Sequence, residues 1–427
     1  MATRIDPPGG GSLEFAAYLV PTNGFVGSAF SNTGASAPDV PSVPVAGTVL
    51  GWTLSPATMP IIDYQRGDHA ILRRLAVKLV PYHSLRYPEF VDYYFTGSPS
   101  CQLKILVDQD ERPQGVLGLE RMNFATPEGE LQLGIGTNFA AFERAAGGLL
   151  FMQLIKSSDL GMMFGGSHDS HRIARGLHWT YFSSVRRFHL NRGYEFPLGE
   201  VWWKRLARTA LRLRLPVNVA ETAQRVLCDG SLPLVEVAEE SRFTEDLLPQ
   251  TPPFSLRFNP GVEYLNWRYS TELPFVRYRL FRILASGKTA GYVVINQRPQ
   301  RMVVAQCDGE DPLLLTAGIF AAMMAMFWAK GSPAKGSPAN RSPASRSPAN
   351  RLPAKRFRGE VFLTSAHRVM QQAFRQAGFR EDREAHPFFL GRTTGKTNVP
   401  QDTGDWLINF DWGDNGLRAP FLGSPSL

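Results

Sequence analysis

An α/β protein built from two copies of one strand-rich unit is what the sequence predicts, and three observations carry that expectation. Hydrophobic residues make up 43% of the 427 positions and charged residues 20%, a globular composition. Period-2 strand patterns give way to helical ones twice along the chain, in the same order each time. Both runs close on a glycine suited to a left-handed helix cap, Gly176 in the first half and Gly378 in the second.

The globular pattern starts near Asp63. Gln102 to Val107 alternates as a strand, Asp-Glu-Arg-Pro at 110–113 supplies a turn, and Gly115 to Phe124 and Glu130 to Phe139 read as two further strands. The period then changes, giving a helix over 142–156, a buried strand over 160–164 and a short helix over 169–175. In the second half, 278–284 and 290–297 pair as a hairpin across Ser286 and Gly287, and 302–306 adds a third strand. Leu313 to Ala329 has Thr316 as its only polar side chain. Seventeen residues are at the lower edge of a membrane span, and a helix buried in a core is the expectation here. A strand over 360–363 and a helix over 367–376 complete the second copy.

Around these elements lie segments of different character. Residues 1–62 are rich in Gly, Ser, Pro, Thr and Ala and read as a disordered leader, with no unbroken apolar stretch of the kind a secretory signal needs. Five pentapeptides of the Ser-Pro-Ala-Lys-Gly type fill 332–356, and proline at every fifth position forbids a continuous helix. Residues 216–256 carry Pro-rich punctuation and read as a connection. Before them, 201–214 puts Trp203, Leu206, Ala207, Ala210 and Leu213 on one helical face and Lys204, Arg205, Arg208 and Arg212 on the other. Such a helix packs on the domains or lies on an anionic membrane surface.

The net charge of +8 does not describe a basic groove. Lys335, Arg341, Arg346, Arg351, Lys355, Arg356 and Arg358 supply seven of those charges in one stretch, so the remainder is nearly neutral and a nucleic-acid partner is not expected. Cys101, Cys228 and Cys307 lie too far apart in sequence for a zinc knuckle or disulfide scaffold, and a cytoplasmic protein without metal is expected.

Within this frame particular residues become informative. Phe-Glu-Arg-Ala-Ala-Gly-Gly-Leu-Leu at 142–150, Leu-Gly-Met-Met-Phe-Gly-Gly-Ser at 160–167 and Arg-Gly-Leu-His-Trp at 175–179 resemble the motif region of GNAT-type acyl-CoA N-acyltransferases. Glu-Tyr-Leu-Asn-Trp-Arg-Tyr at 263–269, Leu-Phe-Arg-Ile-Leu at 280–284, Gly-Tyr-Val-Val at 291–294 and Gln-Ala-Gly-Phe at 376–379 are similar to the second half of tandem GNAT proteins, many of them tied to cell-envelope or exopolysaccharide synthesis. The resemblance implies two GNAT-like mixed-sheet domains in tandem, at 63–197 and 257–415. Between them lies a linker at 198–256, with the repeat inserted in the second domain and a tail at 416–427.

It also implies where an acyl-CoA co-substrate would sit. Arg144, Ala145, Ala146, Gly147 and Gly148 match a turn whose backbone N–H groups, aided by the helix dipole, hold the pyrophosphate; Leu149 departs from the pattern. Gly134, Ile135, Gly136, Thr137 and Asn138 match the splayed strand that pairs with the pantetheine arm, the two glycines being compatible with a bulge. The acid that many GNATs carry four residues before the closing glycine is Arg172 in one half and Phe374 in the other, and neither can serve. Glu120 is the best-placed carboxylate for a base acting through water, set against a strand-end role in solvent. His168 is a site-lining candidate. His168 and His171 with Asp169 also have metal-pair spacing, against the simpler reading that Ser167 or Asp169 caps the helix. In the second half, Asp-Gly-Glu-Asp-Pro at 308–312 sets acids where an anion should bind, so that copy is expected to shape the acceptor cleft instead. Asp-Trp-Gly-Asp at 411–414 reads as a terminal turn, with metal-nucleotide binding as the alternative.

The function expected is acyl transfer from acyl-CoA to an amine such as an amino-sugar or envelope precursor, with peripheral contact at the inner membrane face through 201–214. Two rivals stand beside it. One is a Fem-type peptidyltransferase using aminoacyl-tRNA; the other is a catalytically dead pair of domains whose basic repeat contacts nucleic acid or an anionic surface.

Overall fold

The computed structural model describes residues 59–80, 83–158, 160–191, 217–298, 301–327, 357–392, 402–409 and 411–412. Most of the leader, the helix expected over 201–214 and the whole pentapeptide repeat lie outside the described residues.

Two mixed sheets organise the chain. The first has strands β1 (Ile61–Asp63), β2 (Cys101–Val107), β3 (Pro113–Thr126), β4 (Gly129–Ala141) and β5 (Leu160–Phe164) in sequence order, then β15 (Phe388–Arg392) and β6 (Thr180–Tyr181). The second runs β8 (Glu236–Glu240), β10 (Tyr278–Ala285), β11 (Lys288–Arg298), β12 (Arg301–Gly309), β13 (Glu360–Ser365), β7 (Arg186–Leu190) and β14 (Arg380–Glu381). A short strand β9 (Arg257–Phe258) pairs with β3.

The sheets follow one plan. Neighbours among β1 to β4 pair antiparallel, as do β8, β10, β11 and β12. A parallel strand follows, β5 beside β4 and β13 beside β12, reached through helix α3 (Arg144–Lys156) in the first half. Parallel neighbours need such a crossover. The next position is where the halves exchange strands: β7, from the first half of the sequence, pairs with β13, while β15, from the second, pairs with β5.

The exchange is sealed by packing that only glycine permits. Gly161 of β5 faces Gly391 of β15 across the pair, and Trp179 lies over both. A Cβ on Gly391 would stand 2.0 Å from the indole, so the cross-strand glycines form the slot that the ring fills.

Helices α1 (His69–Lys78) and α2 (Pro88–Thr96) precede β2 and pack in the core beneath the first sheet. Asp68 caps α1 through the Ile71 amide and Pro88 opens α2, so both carried start signals. Helix α4 (His168–Gly176) follows β5. Residues 216–256, expected to be a connection, hold helix α5 (Val219–Cys228) and the edge strand β8. The globular region, expected to start near Asp63, starts earlier, because Ile61 and Ile62 of the expected leader pair with Leu106 and Ile105. Helix α6 (Val262–Arg268) precedes the second sheet. The apolar run near 313–329 forms α7 (Pro312–Ala325), buried in the second half's core together with α8 (Arg368–Gln376). Among the described residues no helix is long and apolar enough to cross a membrane.

Candidate active site

In the first half β4 and β5 part company. Their parallel pairing runs from Leu133↔Leu160 to Ile135↔Met162 and stops there, although β4 continues to Ala141 and β5 to Phe164. The cause is a β-bulge on the other edge of β4. Thr137 faces Gly118 and Ala140 faces Val116, so Asn138 and Phe139 together oppose Leu117. Asn138 takes φ +49°, a left-handed conformation that asparagine tolerates better than most residues. The bulge bends β4 away from β5.

The two glycines expected to make that bulge do something else. A Cβ on Gly134 would meet the hydroxyls of Ser157 and Ser158 at 2.5 Å, and one on Gly136 would meet Leu154 at 3.0 Å. Both bring β4 close to the end of α3, while the left-handed turn falls to Asn138.

A cavity of about 360 Å³ opens where the strands separate. Ile135, Gly136, Asn138 and Phe139 of β4, Met163 and Phe164 of β5 and Phe151 and Leu154 of α3 line it. Its other walls are His83 and Ser84 ahead of α2, Ser167 and Ser170 of the α4 cap, and Trp412. The wall is mainly apolar with a few polar groups, the usual composition of a small-molecule site. Among the residues lining it, His83 carries the one imidazole. Its Nδ1 accepts the Leu85 amide at 3.2 Å, which leaves the ring proton on Nε2 in the neutral imidazole.

At one end of this region α3 begins at Arg144, after Glu143, with no side-chain hydrogen bond capping its first turn. Gly147 packs 3.6 Å, as a virtual Cβ, from Ala141, and Gly148 has open space where its side chain would be. Leu149, the departure from the phosphate-turn pattern, points outward and is 43% exposed.

The catalytic candidates read from sequence lie elsewhere. Glu120 sits mid-strand in β3, is 1% exposed, and accepts hydrogen bonds from Tyr94 Oη at 2.6 Å and from Tyr264 Oη. It is therefore not a strand-end group in solvent. Burial and then the Glu120 charge push both tyrosines well above the usual phenol range. Beside this trio, Arg268 and Asp411 form a buried ion pair at 3.2 Å, with Tyr278 bonded to each at 3.0 Å. Burial works against the Arg268 charge, but Asp411 and the tyrosines outweigh it and hold the guanidinium more basic than usual. His168 is exposed at the start of α4 and does not line the cavity. The helix is capped by Ser167, which accepts the Ser170 amide while Ser170 reaches back, a complete capping box. His171 bonds the Gly165 carbonyl at 3.0 Å, and no group of three potential ligands able to hold a metal occurs among the described residues.

The second half repeats the splay and then fills it. Pairing of β12 with β13 stops at Val303↔Phe362, and Ala305 bulges between Val304 and Gln306. Two residues from later in the chain, Asn409 and Asp411, reach into the gap. Asn409 bonds both backbone groups of Cys307, and the Asp411 amide donates to Ala305 O at 3.1 Å. Asp311 takes the Leu313 and Leu314 amides at the start of α7, so the helix end is occupied by the protein's own carboxylate. Asp308 is buried against Arg257 at 2.5 Å; burial, opposed by that arginine, pushes its carboxyl up to about 6. Residues 411 and 412, expected in a terminal turn, are core residues, and Trp412 closes the first-half cavity.

Compared with known proteins, the sequence matches no family model and no curated protein. Among solved structures it is similar to GNAT acetyltransferases. A GCN5-related N-acetyltransferase from Anabaena variabilis aligns at TM-score 0.46 and 7% identity, over 78% of this chain and 73% of that one. A tandem GNAT protein from the clavulanic acid biosynthesis pathway aligns at TM-score 0.39 and 12% identity, over 79% and 99%. Saccharomyces cerevisiae N-myristoyltransferase with bound myristoyl-CoA aligns at TM-score 0.43 and 9% identity, over 78% and 82%.

Proposed function

We propose that this protein transfers an acyl group from acyl-CoA to an amine, with the chemistry confined to the first half. The observation that carries this reading is the separation of β4 from β5 at Ile135 over a mainly apolar cavity. Strand edges that have lost their partner can pair with the amides of a pantetheine arm, and the cavity can take an acyl chain beyond it. Gly134, Ile135, Gly136 and Thr137 belong to the strand that would line the arm. The start of α3, over Arg144, Ala145, Ala146, Gly147 and Gly148, would hold the pyrophosphate through backbone N–H groups and the helix dipole.

The departing thiolate is met by His83, whose Nε2–H hydrogen-bonds it while the proton it takes up comes from the amine through water. Glu120 and His168 are assigned no proton transfer; Glu120 ties two tyrosines together and His168 faces solvent. Positioning the amine beside the thioester supplies much of the remaining rate. The acceptor is an amine of the amino-sugar or envelope-precursor class, entering a cleft to which the segment carrying Trp412 contributes. The division into domains at 63–197 and 257–415 belongs to the same proposal, with β7 and β15 exchanged between them.

The test is release of free CoA thiol from acetyl-CoA and longer acyl-CoAs against a panel of amines. His83→Leu should lower turnover about 10²-fold while acyl-CoA binding persists. No binding and no thiol release with any ester would contradict the proposal.

A further inference from the structure

The bulge that parts β4 from β5 also presents a side chain. Asn138 is 2% exposed and lines the cavity, yet its Nδ2 has no hydrogen-bond partner. A buried amide donor without a partner is uncommon in a native structure and calls for an explanation. Its orientation is set from the other end. Ser84, 1% exposed in the single turn of 3₁₀ helix Ser84–Arg86, donates its hydroxyl to Asn138 Oδ1. With the carbonyl end held by Ser84, the amide NH₂ is the end left without a partner, on a residue that borders the cavity.

The backbone points to the same purpose. A left-handed residue in a strand could be glycine, which carries no side chain into the gap. Here it is asparagine, at the position where the bulge turns β4 away from its parallel neighbour. That is the point at which a thioester lying along β4 would bring its carbonyl past the end of the strand pairing.

We propose that Asn138 is an oxyanion donor of the acyl transfer, its Nδ2–H hydrogen-bonding the thioester carbonyl oxygen. The assignment rests on the acyl-CoA reading of the cavity. In the step it serves, the amine lone pair forms the C–N bond and the carbonyl π electrons move onto oxygen. Collapse restores C=O and breaks C–S, and the departing thiolate, held by a hydrogen bond from His83 Nε2–H, takes the proton that the amine nitrogen releases through water. Only the middle species carries full charge on oxygen, so a fixed donor there stabilises the transition state more than the bound ester. Ser84 is a positioning residue, acting through the amide it orients.

Two variants separate this role from a structural one. Asn138→Gly keeps the left-handed backbone and removes the donor; Asn138→Asp keeps the size and replaces the donor by an acceptor. The first readout is the infrared carbonyl band of acetyl-CoA labelled with ¹³C at the thioester carbon, free and bound. Bound to the wild-type protein the band should move to lower frequency, and in either variant this shift should be lost while acetyl-CoA still binds. The second is turnover, which should fall about 10²–10³-fold in kcat with little change in KM for the ester. Cooperative unfolding of each variant shows that it folds, and a collapse of one leaves the other to decide. Acetyl-CoA bound with the same carbonyl shift in a folded variant as in wild type overturns the assignment to Asn138. Absence of acetyl-CoA binding to the wild-type protein overturns the acyl-CoA reading and this inference with it.

Discussion

Asn409 satisfies both backbone groups of Cys307: its Oδ1 accepts the amide at 3.0 Å and its Nδ2 donates to the carbonyl at 3.1 Å. One side chain thus does for β12 what a neighbouring strand would do, at the place where β12 has lost β13. The first-half gap has no such occupant among the described residues, and this difference between two copies of one plan is why the ligand is proposed for the first.

Asn409→Ala would strand two buried backbone groups and should cost about 2–6 kcal/mol, an unsatisfied buried polar group being worth about 1–3 kcal/mol each. Urea denaturation at neutral pH measures it.

The Arg268–Asp411 pair anchors the same segment. Removing one partner leaves an uncompensated buried charge, so Asp411→Ala should destabilise by about 3–5 kcal/mol. The double variant Arg268→Met with Asp411→Ala should recover part of that loss. A double variant no more stable than Asp411→Ala would show that the segment is held by other contacts, such as the buried rings of Trp406 and Trp412.

A pH dependence follows from the strand exchange. His189 of β7 lies 2.9 Å from Glu360 of β13 and 3.3 Å from Asp382, and is 5% exposed. Burial opposes its charge, but hydrogen bonds and charge from Asp382 and Glu360 prevail and raise its pKa above the ordinary imidazole value. A group more basic folded than unfolded stabilises fully below its unfolded pKa of about 6.5, and that contribution is lost as pH rises through the folded value. The stability difference between wild type and His189→Gln should therefore be largest near about pH 6 and shrink above about pH 7. Glu360 is held below the usual carboxylate range, its burial outweighed by His189 and Arg301. The difference should accordingly also shrink below about pH 4. A difference flat across pH 5–9 would contradict a charged His189.

The glycine pair under Trp179 predicts a steric cost. Gly391→Ala places a Cβ 2.0 Å from the ring, and the indole cannot retreat without leaving Gly161. Overpacking of this kind costs about 1–3 kcal/mol. Thermal unfolding should show a lowered midpoint.

Much of this was legible in the sequence. The strands 101–107, 113–126 and 129–141 and their counterparts at 278–285, 288–298 and 301–309 show because alternate residues are buried or the whole strand is apolar. Helices α1 and α2 escaped, since His-Ala-Ile-Leu-Arg-Arg and Phe-Val-Asp-Tyr-Tyr-Phe mix β-branched and aromatic residues with charge; the Asp68 cap and Pro88 were the available signals. The strand exchange could not be read, because β7 and β15 were not marked as strands and no periodicity says which strand each pairs with. The bulge was placed on Gly134 and Gly136 because glycine is the usual left-handed residue. Asn138, the next most tolerant kind, stood two positions further on. His83 and Ser84 were missed with α1 and α2, being far in sequence from the motif they face. Nothing periodic announces a segment that substitutes side-chain amides for a strand, so the filling of the second gap by Asn409 had no signature beyond the acids at 308–312.

The central claim is that acyl-CoA binds in the first-half gap with its phosphates at the start of α3. Thermal unfolding with and without millimolar acetyl-CoA and longer acyl-CoAs, on wild type and Gly148→Glu, tests it most directly. Gly148 has open space for a side chain, and replacing a helical glycine near a helix start by glutamate favours the fold if anything. The account predicts that ligand raises the wild-type midpoint and leaves that of a well-folded Gly148→Glu unchanged, because a carboxylate now stands where the pyrophosphate should. No rise for wild type with any ester, or an equal rise in the variant, would contradict it.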